Sequence, residues 1–215
     1  MSGRATVAAL AAAAAVGAYA AVVRPWMLAW GATSAECVGP LPGDDVVPDA
    51  RYVTTRAVTI DAPPDRIWPW LVQMGQDRAG FYTHNWVERL LRSGIPDDHA
   101  LHPEWQTLAA GDLMRTNRDI GGEPMGWPVV AVDPPRSLVV RSLTMPAGTY
   151  AFVVQPVDEG RTRLLVRDRA TWRIREWPFA ALIYEPLHAY METGLMRGLK
   201  QRAEQAKISS TVSLV

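Results

Sequence analysis

The chain has 215 residues, 48% hydrophobic and 20% charged, and its 22 basic and 22 acidic side chains cancel. That composition excludes wholesale disorder and collagen-like structure, and the missing basic excess argues against a protein that lives on nucleic-acid phosphates. The one cysteine, Cys37, excludes an internal disulfide, while nine Trp supply the flat apolar surface used in deep pockets and at membrane interfaces.

From Ala5 to Val23 no residue is charged. As a helix this run spans roughly 28 Å, close to the hydrocarbon thickness of a bilayer. Arg4 and Arg24 bracket it, and Trp26 and Trp30 follow, as in an interfacial belt. Three readings fit: a single-pass anchor, a cleaved signal peptide with Ala18-Tyr19-Ala20 as its small-x-small site, or an Ala-rich helix packed on the domain. The anchor is the expectation. Trp26 and Trp30 sit where an anchor needs them, and a signal peptide would have only Arg4 in its basic region. Arg4 and Arg24 nearly cancel, so the side of the membrane is left open. Residues 1–30 are thus read as helix and interfacial segment. Residues 31–50, rich in Pro and Gly, are read as an irregular tether.

Residues 51–207 carry the globular pattern. Arg51–Ile60 alternates as a half-buried strand. Ala62-Pro63-Pro64-Asp65 opens a helix over Asp65–Met74, with Ile67, Trp70, Leu71 and Met74 on one stripe. A second helix is expected over Phe81–Leu91. Strands follow at Asp112–Asn117, Trp127–Val132, Ser137–Leu143, Thr149–Val157 and Arg161–Trp172, separated by Gly, Pro and Asp turns that imply antiparallel hairpins. In the last strand Arg163, Arg167 and Arg169 share one face, read as the solvent face, which turns Asp168 inward as a candidate polar anchor. A long helix closes the domain over Phe179–Ala206. Its expected buried stripe is Ile183, Leu187, Tyr190/Met191, Gly194/Leu195, Gly198/Leu199 and Arg202. Residues 208–215 read as a flexible tail. The class is α+β: a curved antiparallel sheet around a long C-terminal helix, with two short helices after the first strand.

This order, with the strings VTIDAPPDRIWPWLVQMGQDRAGFY (Val58–Tyr82), NWVERL (Asn85–Leu90), PEWQTLAAGD (Pro103–Asp112), TRLLVRDR (Thr162–Arg169) and METGLMRGLKQRAE (Met191–Glu204), resembles the SRPBCC (START-like, helix-grip) superfamily. The polyketide cyclase/dehydrase-like group is the nearest match. The resemblance implies a helix-grip fold and a cavity between helix and sheet. It does not choose between carrier and enzyme, because the fold hosts both.

No P-loop, dinucleotide fingerprint or GxSxG string is present, so no cofactor is expected. His99 and His102 lie in a loop with Asp98 and Glu104, read as a solvated polar loop rather than a metal site. His84 and Glu88 share a helical face by their four-residue spacing, and with Tyr82 they are the candidate acid–base groups. The candidate ligand walls are Trp70, Met74, Phe81, Tyr82, Trp86, Trp105, Tyr150, Phe152, Tyr190 and Met191, with Tyr190 expected to face the sheet. The favoured function is a membrane-tethered binding module for an apolar small molecule, lipid or polyketide-like. The alternative is a cyclase- or dehydratase-type enzyme using the same cavity. No nucleic-acid partner is expected.

Overall fold

The structure is a computed structural model describing residues 2–83, 96, 98–116, 125–142, 148–172 and 180–212. Helix α1 (Gly3–Leu28) has 26 residues, is long and apolar enough to cross a membrane, and buries none of its apolar stretch. It widens to a π-helical turn at Tyr19–Val23, directly ahead of Arg24-Pro25. Pro25 has no N–H to donate and its ring crowds the carbonyl four residues back, so the ladder opens before it. The last turn, Arg24–Leu28, meets the domain and buries Met27.

A short helix, α2 (Ser34–Val38), starts on a capping box between Thr33 and Glu36. Then come β1 (Tyr52–Ile60), α3 (Pro64–Val72), β2 (Leu113–Arg115), β3 (Gly126–Asp133), β4 (Ser137–Ser142), β5 (Gly148–Asp158), β6 (Arg161–Ala170) and α4 (Glu185–Val212). The six strands form one antiparallel sheet in the order β1-β6-β5-β4-β3-β2. The β5–β6 hairpin is closed by Asp158, whose carboxylate accepts from Gly160 N and Arg161.

The period-two alternation of the strands separates two faces. On the inner face Ile60, Leu138, Val140, Phe152, Val154, Leu164 and Val166 pack against Ile67, Trp70 and Leu71 of α3 and Leu195, Met196 and Leu199 of α4. The outer face carries Ala57, Val139, Ala151, Val153 and Leu165.

That outer face is covered, which corrects two expectations. The segment 31–50 is not an irregular tether but a strap laid across the sheet, with Ala32 and Leu41 against the outer apolar cluster. The three arginines of β6 do not point into solvent; they hold the strap. Arg163 grips Glu36 with two nitrogens at 2.7 and 2.9 Å. Arg167, only 2% exposed, pairs with Asp44 at 2.7 Å and donates to the carbonyls of Glu36, Cys37 and Gly39. Arg169 donates to the Val47 carbonyl. Arginine's five-donor fork turns a strap of bare carbonyls into a satisfied interface. At the edge of the sheet Ala57 N donates to Trp30 O, and the chain turns there at Gly31, φ +69°. A Cβ on Gly31 would sit 2.2 Å from the Ala57 carbonyl oxygen, so only glycine fits.

Two further corrections concern helices. Phe81–Thr83 is not helical, and Tyr82 has φ +55°; the rest of the expected second helix, with His84, Trp86 and Glu88, lies outside the described residues. In α4 the buried stripe is Glu185, Ala189, Glu192, Leu195, Met196, Leu199, Arg202 and Ala203, with His188 largely enclosed. Ile183, Leu187 and Tyr190 are exposed, Tyr190 at 39%, so Tyr190 does not face the sheet. The first turns of the helix are rotated so that polar side chains point inward. The expected stripe therefore lands on the wrong side in the first turns, at Ile183, Leu187 and Tyr190, and on the buried side from Gly194/Leu195 through Gly198/Leu199 to Arg202.

Candidate functional site

The inward polar residues of α4 meet a matching set on the sheet. Tyr52, Thr54 and Arg56 share the face of β1 that carries Val58 and Ile60, and register pairs Thr54 with Asp168. Asp168 in turn pairs with Tyr150 on β5. Above them stand Tyr184, Glu185, His188 and Glu192. Tyr150 Oη lies 2.8 Å from His188 Nε2, which is 3.5 Å from Glu192 Oε2. Glu192 Oε2 forms an ion pair with Arg56 Nη1 at 2.9 Å. Arg56 Nε donates to the Met27 carbonyl, so the same guanidinium reaches the last turn of α1. Glu185, fully buried, takes both donors of Arg24 at 2.8 Å.

Aromatic rings enclose this cluster. Tyr184 stacks on His188 at 5.5 Å, Tyr52 stacks on Trp172 at 4.5 Å, and Phe81, Trp127 and Tyr150 form a chain at 5.4 and 4.9 Å. The result is an apolar interior with a polar head.

Burial sets the protonation states. It pushes the Asp168 carboxyl well above its ordinary range, and the neighbouring Glu192 charge adds to this while Arg56 opposes it. The shift favours the protonated, hydrogen-bond-donating form of Asp168. Burial lowers the His188 pKa, against the pull of Glu192, so the ring is a neutral imidazole. Burial raises the Tyr150 phenol well above 10.0, with Asp168 adding to it. Burial also opposes the Arg56 charge, but Glu192, Tyr52 and Asp168 together outweigh it and the guanidinium stays charged.

Several buried polar atoms here have no hydrogen-bond partner: Tyr52 Oη, Arg56 Nη2, His188 Nδ1 and Glu192 Oε1. They come from both the sheet and the helix. Each such atom costs about 1–3 kcal/mol unless a ligand or water satisfies it. The set contains donor and acceptor capacity, one guanidinium and two buried carboxyl side chains, Asp168 and Glu192. It can hold a hydrogen-bonding group in a water-poor setting, and it can take up or give a proton.

The sequence-predicted residues divide. Trp70, Met74, Phe81, Tyr82, Tyr150 and Phe152 are all buried in the inner core, and Trp105 packs on its margin. Of these, Tyr150 belongs to the polar cluster and Phe81 reaches it through Trp127. Tyr82 is structural: its hydroxyl donates to Trp70 O, Arg202 covers its ring at 4.3 Å, and Gly198 is pressed against its backbone. Met191 is half-buried with its sulfur 3.6 Å from Thr83 Oγ1. His102 pairs with Asp98 at 2.8 Å in its loop; among the described residues no three metal-ligating side chains gather. Asp168 is inward, as its alternation predicts. Arg56, Glu192 and His188 are the residues that sequence reading misses. Their signals are parity and spacing: Arg56 shares alternation with Val58 and Ile60, and His188 and Glu192 stand four apart. An apolar groove of about 380 Å³ near the β3–β4 turn, lined by Pro40, Leu41, Pro42 and Pro135 among others, lies away from this cluster.

No protein-family model and no curated protein matches the chain. Solved structures similar to it include protein MLL2253 from Mesorhizobium loti, at 18% identity and TM-score 0.41, covering 72% of this chain and 98% of that one. The di-domain ARO/CYC StfQ from the steffimycin biosynthetic pathway is similar at 15% identity and TM-score 0.45, covering 77% of this chain and 54% of that one. Ara h 8.0201 is similar at 10% identity and TM-score 0.45, covering 72% of this chain and 98% of that one. The element order and strand topology are those of a helix-grip fold, an antiparallel sheet with a long C-terminal helix.

Proposed function

We propose that the domain binds a mostly apolar small molecule bearing one hydrogen-bonding group, and that α1 holds it to a membrane. The observation that carries this is the set of unsatisfied polar atoms, Tyr52 Oη, Arg56 Nη2, His188 Nδ1 and Glu192 Oε1, at the head of an aromatic interior. Phe81, Trp127, Tyr150 and Tyr184 supply walls, and Asp168 and Arg56 read the polar group. Mass spectrometry of an organic extract of the full chain tests it. The expected result is a co-purified apolar compound that is lost in Asp168→Asn and Tyr150→Phe while both variants still melt cooperatively. An empty extract, with no shift of the melt by added lipid extract, overturns the reading. Carbonate washing with N-terminal sequencing tests the anchor: the intact chain stays in the membrane fraction, whereas a soluble chain beginning at Ala21 means a cleaved signal peptide.

One observation favours a cyclase- or dehydratase-type enzyme as the second reading. His188, whose pKa burial lowers, touches Tyr150 Oη, and Tyr150 pairs in register with Asp168, whose pKa burial raises, a candidate base and acid in one buried site. Turnover of a polyketide-like test compound that disappears in His188→Gln, with binding retained, would select it over a carrier.

A further inference from the structure

The run of contacts between α1 and α4 fixes how the domain stands. Arg24 pairs with Glu185, the Met27 carbonyl accepts from Arg56 beside Glu192, and Trp30 lies under Arg197 at 5.1 Å. Both chains advance in the same order, so the last turn of α1 and the first half of α4 run side by side in one direction. What precedes Arg24 and what precedes Glu185 therefore lie on the same side of the bridge. Before Arg24 lies the apolar length of α1. Before Glu185 lies the π-helical turn Ala180–Tyr184, which exposes Leu182 at 62% and Ile183 at 67%. Leu187, one turn later, and Trp26, beside Arg24, are also exposed. Four large apolar side chains thus surround the point where α1 leaves the domain.

The geometry points to a second membrane contact: Leu182, Ile183, Leu187 and Trp26 dip into the headgroup–acyl boundary of the bilayer that α1 crosses, so that the domain stands on the start of α4. This rests on the reading of α1 as an anchor. The occupant is the lipid interface because the patch sits where α1 enters it, and because side chains of this type gain by burial about 5–10 Å into that boundary. Fixed at two points, the domain cannot swing on its helix. His188 and Glu192 follow Ile183 by five and nine residues on the same run of helix, roughly 8 and 14 Å along its axis. The polar head of the candidate site then lies just above the lipid surface, where a ligand partitioned into the bilayer would meet it.

Depth-dependent fluorescence quenching tests this on the full chain in phosphatidylcholine–phosphatidylglycerol vesicles. In a Cys37→Ser background, single cysteines at positions 16, 183 and 157 are labelled with an environment-sensitive dye and quenched by nitroxide-bearing lipids. Val157 is the reference, exposed near the β5–β6 hairpin at the opposite end of the sheet. Quenching at 183 as strong as that at 16, with none at 157, is the expected result. Quenching at 16 but not at 183 overturns the second contact and leaves the anchor standing. Quenching at neither overturns both.

Discussion

At the scale of single residues, the buried titratable groups make stability depend on pH in two opposite ways. Asp168 has a folded pKa raised above its ordinary value of 3.8. The folded state therefore holds a proton that the unfolded chain releases, and stability falls as pH rises from about 4 toward the raised value. Asp168→Asn keeps the shape and removes the charge. It should melt higher than the wild type at neutral pH, with the gap closing toward pH 4, as calorimetry across pH would show. His188 behaves in reverse. Its folded pKa is lowered from 6.5, so the unfolded chain takes up the proton first and stability falls as pH drops below about 6.5. His188→Gln should flatten that limb. If the variants leave both slopes untouched, the two groups are not buried as described.

At the scale of elements, arginines on alternate positions of β6 bind a strap rather than water. The Glu36 carboxyl, gripped by Arg163, is held down to about 2. Arg167 is more deeply buried than Arg163, and Arg167→Ala leaves Asp44 with only the longer Arg169 contact, at 3.5 Å, as its ion pair and three strap carbonyls without this donor. The expected cost is about 3–5 kcal/mol in urea unfolding, the range for breaking a buried ion pair, together with faster proteolysis within residues 31–50. Arg161→Ala, at the exposed hairpin, should leave the melt unchanged. The period-two pattern of β6 shows in the sequence, and so does the inward turn of Asp168. The strap does not, because Pro- and Gly-rich composition looks the same in a free tether and in a segment held by its own carbonyls. The first turns of the inner stripe of α4 fail for a related reason, while Leu195, Leu199 and Arg202 are buried as the spacing predicts. Apolarity selects Ile183, Leu187 and Tyr190, yet the three-to-four spacing of Glu185, His188, Ala189 and Glu192 is equally regular, and a partner of opposite charge on β1 decides between them. Both π-helical turns among the described residues precede a charged residue followed by proline, Arg24-Pro25 and Glu185-Pro186, and the two charges meet. That coincidence is visible only once the helices are side by side.

At the scale of the whole molecule, the architecture follows from element order. Strand, short helix, antiparallel run and long helix bury their apolar stripes in one inner core, with the sheet in the order β1-β6-β5-β4-β3-β2. What local patterns cannot supply is the polar head, since its members come from positions 52 to 192 and each looks ordinary alone. The same long-range logic joins α1 to the domain. Glu185 is fully buried and its two oxygens are satisfied by Arg24, whose side chain is 27% exposed. Removing Arg24 strands a buried carboxylate, whereas removing the charge of Glu185 leaves an arginine that can turn to water. The two substitutions should therefore be unequal. Arg24→Ala is expected to cost about 3 kcal/mol, the lower end for a buried pair because one partner is a quarter exposed. Glu185→Gln should cost clearly less, and the double variant no more than Arg24→Ala alone. Chemical unfolding of the full chain in detergent gives the three values, and limited proteolysis at residues 24–33 reports whether α1 has come loose. If Arg24→Ala unfolds with the wild-type profile and residues 24–33 stay protected, the bridge does not couple helix to domain, and the side-by-side placement of α1 and α4 must rest on Met27 and Trp30.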